Sequence, residues 1–260
     1  MNHPSVQNLR RCWSSIDGLL AGLAEERWAT RSLCPDWDIA GVVVHLVAVE
    51  EMLLGADPSE FAERLPFDRA LAASTEMADL SPDELLDRFR SVTVARGDEL
   101  DQFGPAAFDT PVMTPVGPGT YGRFMDIRVF DHWVHEQDMR RPLDLPGHID
   151  GPAAERSIDE IEMSLPYIVG KRIGLPDGRS IAIHLSGPVT RSMYLRVDGR
   201  AGAVDHVDDP DVTLTSDSTT FALLACGRID PEQAIDGGLI SWSGDDEIGS
   251  RAARNLRFTM

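Results

Sequence analysis

The spacing of apolar residues in the first half of the chain predicts long helices. Between Ser5 and Trp28, apolar side chains recur every three or four positions, which is the period of one helix face. These side chains are Leu9, Trp13, Ile16, Leu20 and Leu23. The next segment, Asp38–Leu54, is apolar on most sides and predicts a second helix, buried inside its domain.

Two more helices and one long connection are predicted before the pattern changes. Ser81, Pro82 and the acids that follow are a strong helix start, which predicts a helix to about Gln102. Residues 128–141 contain neither Pro nor Gly and predict a fourth helix. The stretch 103–121 is rich in Pro, Gly and Thr and is predicted to be one long loop. Four helices with a long crossover are typical of a bundle.

The second half of the chain mixes alternating and helical patterns, after a boundary marked by Pro142, Pro146 and Gly147. The predicted strands are 178–185, 192–198, 211–216 and 239–242, and the predicted helices are 155–168, 218–225, 245–256 and a short one from Pro231. Such a mixture describes an α+β domain. The predicted fold class is therefore α plus α+β, with a helical bundle over 1–147 and a small α+β domain over 148–260.

Composition and charge narrow the function classes. The 260-residue chain is 42% apolar and 26% charged, as ordinary globular proteins are. The formal net charge is −19 and Lys171 is the only lysine, which argues against a nucleic-acid partner because phosphate binding needs clustered cations. There is no apolar leader and no run of about 18 apolar residues, so a cytoplasmic protein without membrane contact is expected.

The cysteines, Cys12, Cys34 and Cys226, are odd in number and far apart. This spacing indicates neither a disulfide framework nor a thiolate zinc site. Cys34 precedes Pro35 and Asp36, and is interpreted as a partly buried residue at a helix end, with a reactive thiol as the alternative.

The most informative chemistry lies in the predicted fourth helix. Asp131 and His135 are four residues apart, so both side chains point to one spot on the helix surface. A carboxylate and an imidazole at one spot can bind a divalent metal, but two ligands are rarely enough. His45 is the candidate for the third ligand, because a histidine inside an apolar helix needs a polar partner.

Other interpretations fit the same residues. A histidine in an apolar helix is often a hydrogen-bonded core residue, and an Asp–His pair at this spacing is often a surface pair. His132 and Glu136 have the same spacing on a face rotated by about 100°. The face of Asp131 carries further apolar residues and is therefore predicted to be the buried one. Those residues are Phe124, Ile127 and Val134.

Motifs in both halves resemble one protein family. They are Trp37-Asp38, Val44-His45-Leu46, Thr114-Pro115-Val116-Gly117-Pro118, the stretch 128–138, and in the second half 211–215, 226–228 and 244–245. The first half resembles the opening of the mycothiol-dependent maleylpyruvate isomerase family, a branch of the DinB-like metal-binding four-helix bundles. The second half resembles the sterol-carrier-like C-terminal domain of that family.

The resemblance implies a metal and a thiol cosubstrate. In the family, a His on the second helix and an acid-x-x-x-His on the fourth hold a divalent metal, usually zinc. This pattern assigns His45, Asp131 and His135 as ligands. The acid of the best-known members is Glu, so the shorter Asp131 is expected to bring the metal closer to the fourth helix. The metal activates mycothiol, which isomerises maleylpyruvate or is transferred to other electrophiles.

Three more residues are predicted to act around these ligands. Arg128 lies one turn before Asp131, and Asp138 lies one turn after His135, so each can hold a ligand by a hydrogen bond. Arg228 is the candidate for binding an acidic substrate, because guanidinium groups pair well with carboxylates.

Two alternative functions remain open from the sequence. The first is a non-catalytic protein that binds a metal and a small ligand, which a closed shell of four protein ligands would favour, with His132 or Glu136 recruited. The second is a metal-dependent hydrolase that uses a bound water, which turnover without added thiol would favour. Zinc, nickel and iron all accept two imidazoles and a carboxylate, so the pattern leaves the metal open.

Overall fold

The structure is a computed structural model that describes residues 3–258. It divides into two compact units, and the division falls between His148 and Ile149. The first unit is helical and the second combines helices with a sheet, so the predicted α plus α+β fold class is confirmed. Within residues 3–258, no helix is both long enough and apolar enough to cross a lipid bilayer.

The first unit is organised around four long helices. Its helices are α1 (Pro4–Ala21), α2 (Ile39–Leu53), α3 (Phe67–Glu76), α4 (Pro82–Gln102), α5 (Pro105–Phe108) and α6 (Tyr121–Arg140), and its strands are β1 (Pro111–Thr114) and β2 (Gly117–Thr120). Both α1 and α2 pack against α4 and α6. The closed ring of contacts is the predicted four-helix bundle.

Side-chain caps determine where α2 and α6 begin. The Asp38 carboxylate accepts the backbone N–H of Gly41 at 2.8 Å before α2. The Thr120 hydroxyl accepts the backbone N–H of Arg123 at 3.1 Å before α6. Each cap satisfies a donor that the first helical turn leaves free. The caps therefore fix the first turns of α2 and α6, the two helices that carry the candidate site residues.

The predicted first helix, Ser5–Trp28, is too long. The helix α1 ends at Ala21, with Gly22 as its C-cap, and Trp28 lies in a separate 3-10 turn, Glu25–Ala29. Glycine is a poor helix residue, which favours an end at this point. Trp28 is nevertheless buried, so the apolar pattern continues past the end of the helix because the turn also faces the core.

The predicted single loop 103–121 is also wrong in part, because it contains α5 and the β1–β2 hairpin. The hairpin pairs antiparallel, with Thr114 opposite Gly117. The Thr114 hydroxyl donates to the Gly117 carbonyl at 2.7 Å and accepts the Val116 N–H at 3.2 Å. Gly117 has a φ of +111°, which glycine adopts without strain. Strand β2 is mostly Gly and Pro and β1 has only four residues, so neither shows the apolar alternation from which strands are predicted.

The second unit is built on a sheet flanked by helices. Its strands are β3 (Ser180–Ser186), β4 (Arg191–Asp198), β5 (Arg200–Val204), β6 (Val212–Asp217) and β7 (Ile240–Gly244), and its helices are α7 (Gly151–Tyr167), α8 (Ser218–Ala225), α9 (Pro231–Asp236) and α10 (Asp246–Arg254). Within residues 149–258 the strand order is β5-β4-β3-β6-β7, and every neighbouring pair is antiparallel except β3 with β6.

The predicted strand at 178–185 is present as β3, and Ile181, Ile183 and Leu185 are buried as expected. Ser180 and Ala182 on the opposite face are buried too, because β3 lies in the middle of the sheet. Strand β5 is absent from the prediction, since only the small residues Ala201 and Ala203 alternate in its sequence. It forms through a tight turn at Gly199, which has a φ of +66°, and then pairs along β4. Backbone pairing to a neighbour, which the local sequence does not reveal, therefore places this edge strand.

Candidate metal centre

Helices α2 and α6 bring the three predicted ligands to one point. The distance from His45 Nε2 to Asp131 Oδ2 is 3.4 Å, and the distance from His135 Nε2 to Asp131 Oδ1 is 3.5 Å. The two imidazole rings lie edge to face with centroids 4.8 Å apart. The ligand atoms of all three residues lie within 4.8 Å of one another. Ligand atoms bound tetrahedrally to zinc are about 3.3 Å apart, so this spacing needs little adjustment.

The Nε2 atom of His45 fits a metal better than it fits the protein alone. His45 Nε2 is buried and has no hydrogen-bond partner, which is unusual for a polar atom in a protein interior. Burial is the main reason that the pKa of His45 lies below its ordinary value, and the neutral imidazole is the form that binds metals. A metal ion would give this nitrogen the partner that it lacks.

The charges around His135 favour a cation at the same point. Burial alone would lower the pKa of His135, but the carboxylates of Asp131 and Asp138 outweigh burial and raise it to about 10. Burial likewise opposes ionisation of Asp131, yet Arg128 and the two histidines hold its pKa well below the usual range. The site therefore places an ionised carboxylate where the imidazole nitrogens converge.

The centre is partly open to solvent. The side chains of His45 and Asp131 are 27% and 26% exposed. By contrast, His132 and Glu136 are fully buried, so the prediction that the Asp131 face is the buried one is wrong. The reason is that α6 is enclosed on nearly all sides, with fifteen of its twenty residues buried, so its apolar residues do not mark a single inner face.

His132, a member of the rival pair, is fully engaged in hydrogen bonds. The Trp13 indole N–H donates to His132 Nε2 at 3.0 Å, so Nδ1 carries the ring proton and donates to the Arg128 carbonyl at 2.9 Å. Burial lowers the pKa of His132 to about 4, which agrees with a neutral ring. Neither nitrogen of His132 is free to bind a metal.

Glu136, the other member of that pair, is engaged in the same way. Its Oε1 accepts hydrogen bonds from the Ser15 hydroxyl and from Arg140 Nε, both at 2.6 Å. Its Oε2 lies 2.6 Å from His148 Nδ1. This buried carboxylate joins α1, α6 and the end of the first unit, which is a structural role.

Both predicted supporting residues lie where the sequence places them. Arg128 Nη1 donates to Asp131 Oδ2 at 2.5 Å. Asp138 Oδ2 is 2.9 Å from His135 Nδ1, and so holds the nitrogen that points away from Asp131. A carboxylate on the second nitrogen of a ligating histidine fixes its tautomer and ring orientation.

The loop between Thr30 and Asp38 forms one wall of the centre, which the sequence interpretation misses. The Trp37 indole stacks on His45 with centroids 5.0 Å apart and tilts over His135 at 5.8 Å. The Cys34 thiol is buried and donates to Asp138 Oδ2 at 3.0 Å, which corrects the interpretation of Cys34 as a partly buried helix-end residue. In the sequence, the only indication of this wall is that Trp37 belongs to a family motif.

Arg228, the predicted substrate-binding residue, lies in the second unit just after α8. Its side chain is half-buried, and Nη1 donates to the Cys226 carbonyl at 3.2 Å. Arg228 directly follows the glycine that ends the helix, and this position is the reason for predicting that it binds a substrate. Its role toward a substrate stays a prediction.

Two protein-family models match this chain, one in each unit. The model of the mycothiol maleylpyruvate isomerase N-terminal domain matches residues 9–140, and the model of the MDMPI C-terminal domain matches residues 155–247. The chain belongs to the mycothiol maleylpyruvate isomerase family. The first match includes the candidate ligands His45, Asp131 and His135, and the second includes Arg228.

Two curated proteins are similar to part of this chain. Two curated proteins from Mycobacterium tuberculosis strains, both named as uncharacterized, are 29% identical over 157 residues. The match covers 54% of this chain, which spans just over half (56%) of the length of these relatives.

Two solved structures have the same fold. A histidine-to-alanine mutant of mycothiol-dependent maleylpyruvate isomerase matches with a TM-score of 0.60 and 16% identity, over 92% of this chain and 91% of that one. The unmutated enzyme matches with a TM-score of 0.59 and 18% identity, over 86% and 88%. At identities of 16% and 18%, these two matches show a shared fold.

Proposed function

We propose that the protein is a divalent-metal-dependent enzyme that uses mycothiol to isomerise, or to transfer sulfur to, an electrophilic substrate such as maleylpyruvate. One observation carries the metal part of the proposal: His45 Nε2 is buried, lacks a hydrogen-bond partner, and faces the carboxylate of Asp131 and the ring of His135. Family membership supports the thiol part.

The metal would be held by His45, Asp131 and His135. Two imidazoles and one carboxylate are the ligand set of catalytic rather than structural zinc sites, because such a set leaves a position for an exogenous ligand. His132 and Glu136, which would close the shell in a non-catalytic binder, are occupied elsewhere in the core. The partial exposure of His45 and Asp131 supports access for a small molecule.

A divalent ion in this place would act as a Lewis acid, lowering the pKa of a thiol so that it reacts as the thiolate. The surrounding residues hold the side chains of the three proposed ligands in place. Asp138 orients His135, Arg128 orients Asp131, and the Trp37 indole restricts the rings of both histidines. Little reorganisation is then needed when the thiol arrives.

The thiol chemistry accounts for cis–trans isomerisation. The mycothiol sulfur adds to the conjugated double bond of maleylpyruvate, which becomes a single bond about which the carbon chain rotates. Expulsion of the sulfur restores the double bond in the trans form and returns the thiol, so the step needs no oxidant or reductant. An S-transferase would retain the new carbon–sulfur bond. Arg228 is proposed to bind a carboxylate of the substrate.

Three measurements on the purified protein test the proposal. Elemental analysis is expected to find about one divalent metal ion per chain, and calorimetry is expected to detect mycothiol binding that is lost after metal removal. Maleylpyruvate turnover is expected only with both metal and thiol. Full turnover of maleylpyruvate without thiol would refute the thiol part, and turnover of an ester or amide without thiol would favour the hydrolase. Full activity of His45→Ala would refute the metal site.

A further inference from the structure

Helix α2 contains a buried carboxylate, Glu50, that the metal-ligand motif does not include. Glu50 lies in a helix of apolar residues, and its side chain is only 1% exposed. Burying a carboxylate is costly unless it is paired and hydrogen-bonded. The contacts of Glu50 therefore indicate what keeps it there.

Glu50 is paired with two buried arginines from two other helices. Its Oε1 accepts from Arg128 Nε at 3.0 Å and from Arg128 Nη2 at 2.9 Å. Its Oε2 accepts from Arg96 Nε at 3.2 Å. Both guanidinium groups are essentially inaccessible to solvent. The carboxylate thus links α2 to α4 and α6 inside the bundle.

Arg128 connects this pair directly to the candidate metal centre. Two of its nitrogens, Nε and Nη2, bond Glu50, and the third, Nη1, bonds Asp131 Oδ2 at 2.5 Å. The planar guanidinium is thereby fixed on one side by Glu50 while it positions the metal-binding carboxylate on the other. Asp131 Oδ1, on the far side of that carboxylate, faces His135 Nε2.

We propose that Glu50 is a positioning residue of the metal centre, which acts on Asp131 through Arg128. This inference rests on the proposed function, because it assumes that Asp131 binds a metal. Glu50 touches neither the metal ligands nor, on this proposal, the substrate. It determines both the orientation of Asp131 and how much negative charge Asp131 retains for the ion.

The charge argument follows from the contacts. With Glu50 present, the positive charge of Arg128 is shared between two carboxylates. Without it, Arg128 would face Asp131 alone in a poorly solvated interior, where ion pairs are strong. A tighter ion pair would draw Asp131 toward the arginine and make it a weaker metal ligand. Loss of the two bonds from Glu50 would also free the guanidinium to rotate.

The test compares Glu50→Gln with Glu99→Gln. Glu99 also pairs with Arg96, its side chain is 18% exposed, and the change removes the same charge without touching Arg128. Co²⁺ is titrated into the metal-free full-length variants and its visible absorption is recorded. Glu50→Gln is expected to raise the Kd for Co²⁺ by about 10- to 100-fold and to alter the absorption bands. Glu99→Gln is expected to keep the wild-type spectrum and a Kd within about twofold.

A double-mutant cycle shows whether the effect passes through Arg128. Arg128→Gln is expected to weaken Co²⁺ binding, and Glu50→Gln added to it is expected to cause no further loss, because the connection is already broken. A purely structural role of Glu50 would make the two losses add. If Glu50→Gln does not fold, Glu50→Asp is used, which keeps the charge but withdraws it from Arg128, with the same rise in Kd expected.

The outcomes separate this inference from the proposed function. If the wild-type protein does not bind Co²⁺, both the metal centre and the role of Glu50 are overturned. If wild type binds but Glu50→Gln, or its Asp substitute, has the wild-type Kd and spectrum, only the role of Glu50 is overturned. Additive losses in the double-mutant cycle overturn it as well.

Discussion

The substitution His45→Ala separates metal binding from the stability of the bundle. A buried polar atom without a hydrogen-bond partner destabilises a fold by about 1–3 kcal/mol. In the metal-free protein, His45 Nε2 is such an atom, so its removal offsets the packing lost against Trp37. Metal-free His45→Ala is therefore expected to melt within a few degrees of wild type.

The metal-bound proteins are expected to differ much more. A ligand at about 100 times its Kd stabilises the folded state by about 2.7 kcal/mol. For a unit of about 150 residues, each kcal/mol raises Tm by about 2–4 °C, so the wild-type Tm should rise by about 5–11 °C. His45→Ala should show almost none of this rise, because one of the three ligands is absent.

The assay is differential scanning calorimetry of the full chain, with Zn²⁺ or Co²⁺ and after treatment with a chelator. His206→Ala is the control, because that histidine lies in the second unit with a side chain 60% exposed. It should retain the full metal-dependent rise. An undiminished rise in His45→Ala would refute the assignment of this ligand. A loss of several kcal/mol in its metal-free form would show that His45 is an ordinary core residue.

Three further predictions follow from the same contacts. Cys34→Ala removes a donor to Asp138 and should weaken Co²⁺ binding about tenfold, whereas Cys34→Ser keeps the donor and should bind like wild type; equal Kd values for both would contradict this role. Glu136→Gln breaks a buried pair and should lower the free energy of unfolding in urea by about 3 kcal/mol while leaving the Kd for Co²⁺ unchanged. Burial alone would raise the pKa of Glu50, but Arg128, His132 and Arg96 together outweigh burial, and the pKa is lowered. Its ion pairs therefore contribute fully above the unfolded-state pKa of about 4.3 and are lost as the pH falls below it. Urea unfolding between pH 5 and pH 3 should show a smaller loss of stability for Glu50→Gln than for wild type, and parallel losses would contradict the assignment.

The sequence by itself determined which helices carry the candidate ligands. Helix periodicity, the cap at Asp38 and the four-residue spacing of Asp131 and His135 are local properties, and local backbone geometry translates them directly into structure. The family motifs also identified His45 from sequence alone. The hairpin within 103–121 and the edge strand β5 were not predicted. Both form by pairing with a neighbouring strand, and their sequences show no clear apolar alternation.

Only the tertiary structure decided which polar pair of α6 is available to bind a metal. The pairs Asp131–His135 and His132–Glu136 have identical spacing. Hydrogen bonds with Trp13, Ser15 and other partners distant in sequence already occupy the polar atoms of the second pair. Likewise, Glu50 supports Asp131 only because packing of α2 on α6 places Arg128 between them. Burial raises the energetic weight of each such contact, and burial depends on how whole helices pack.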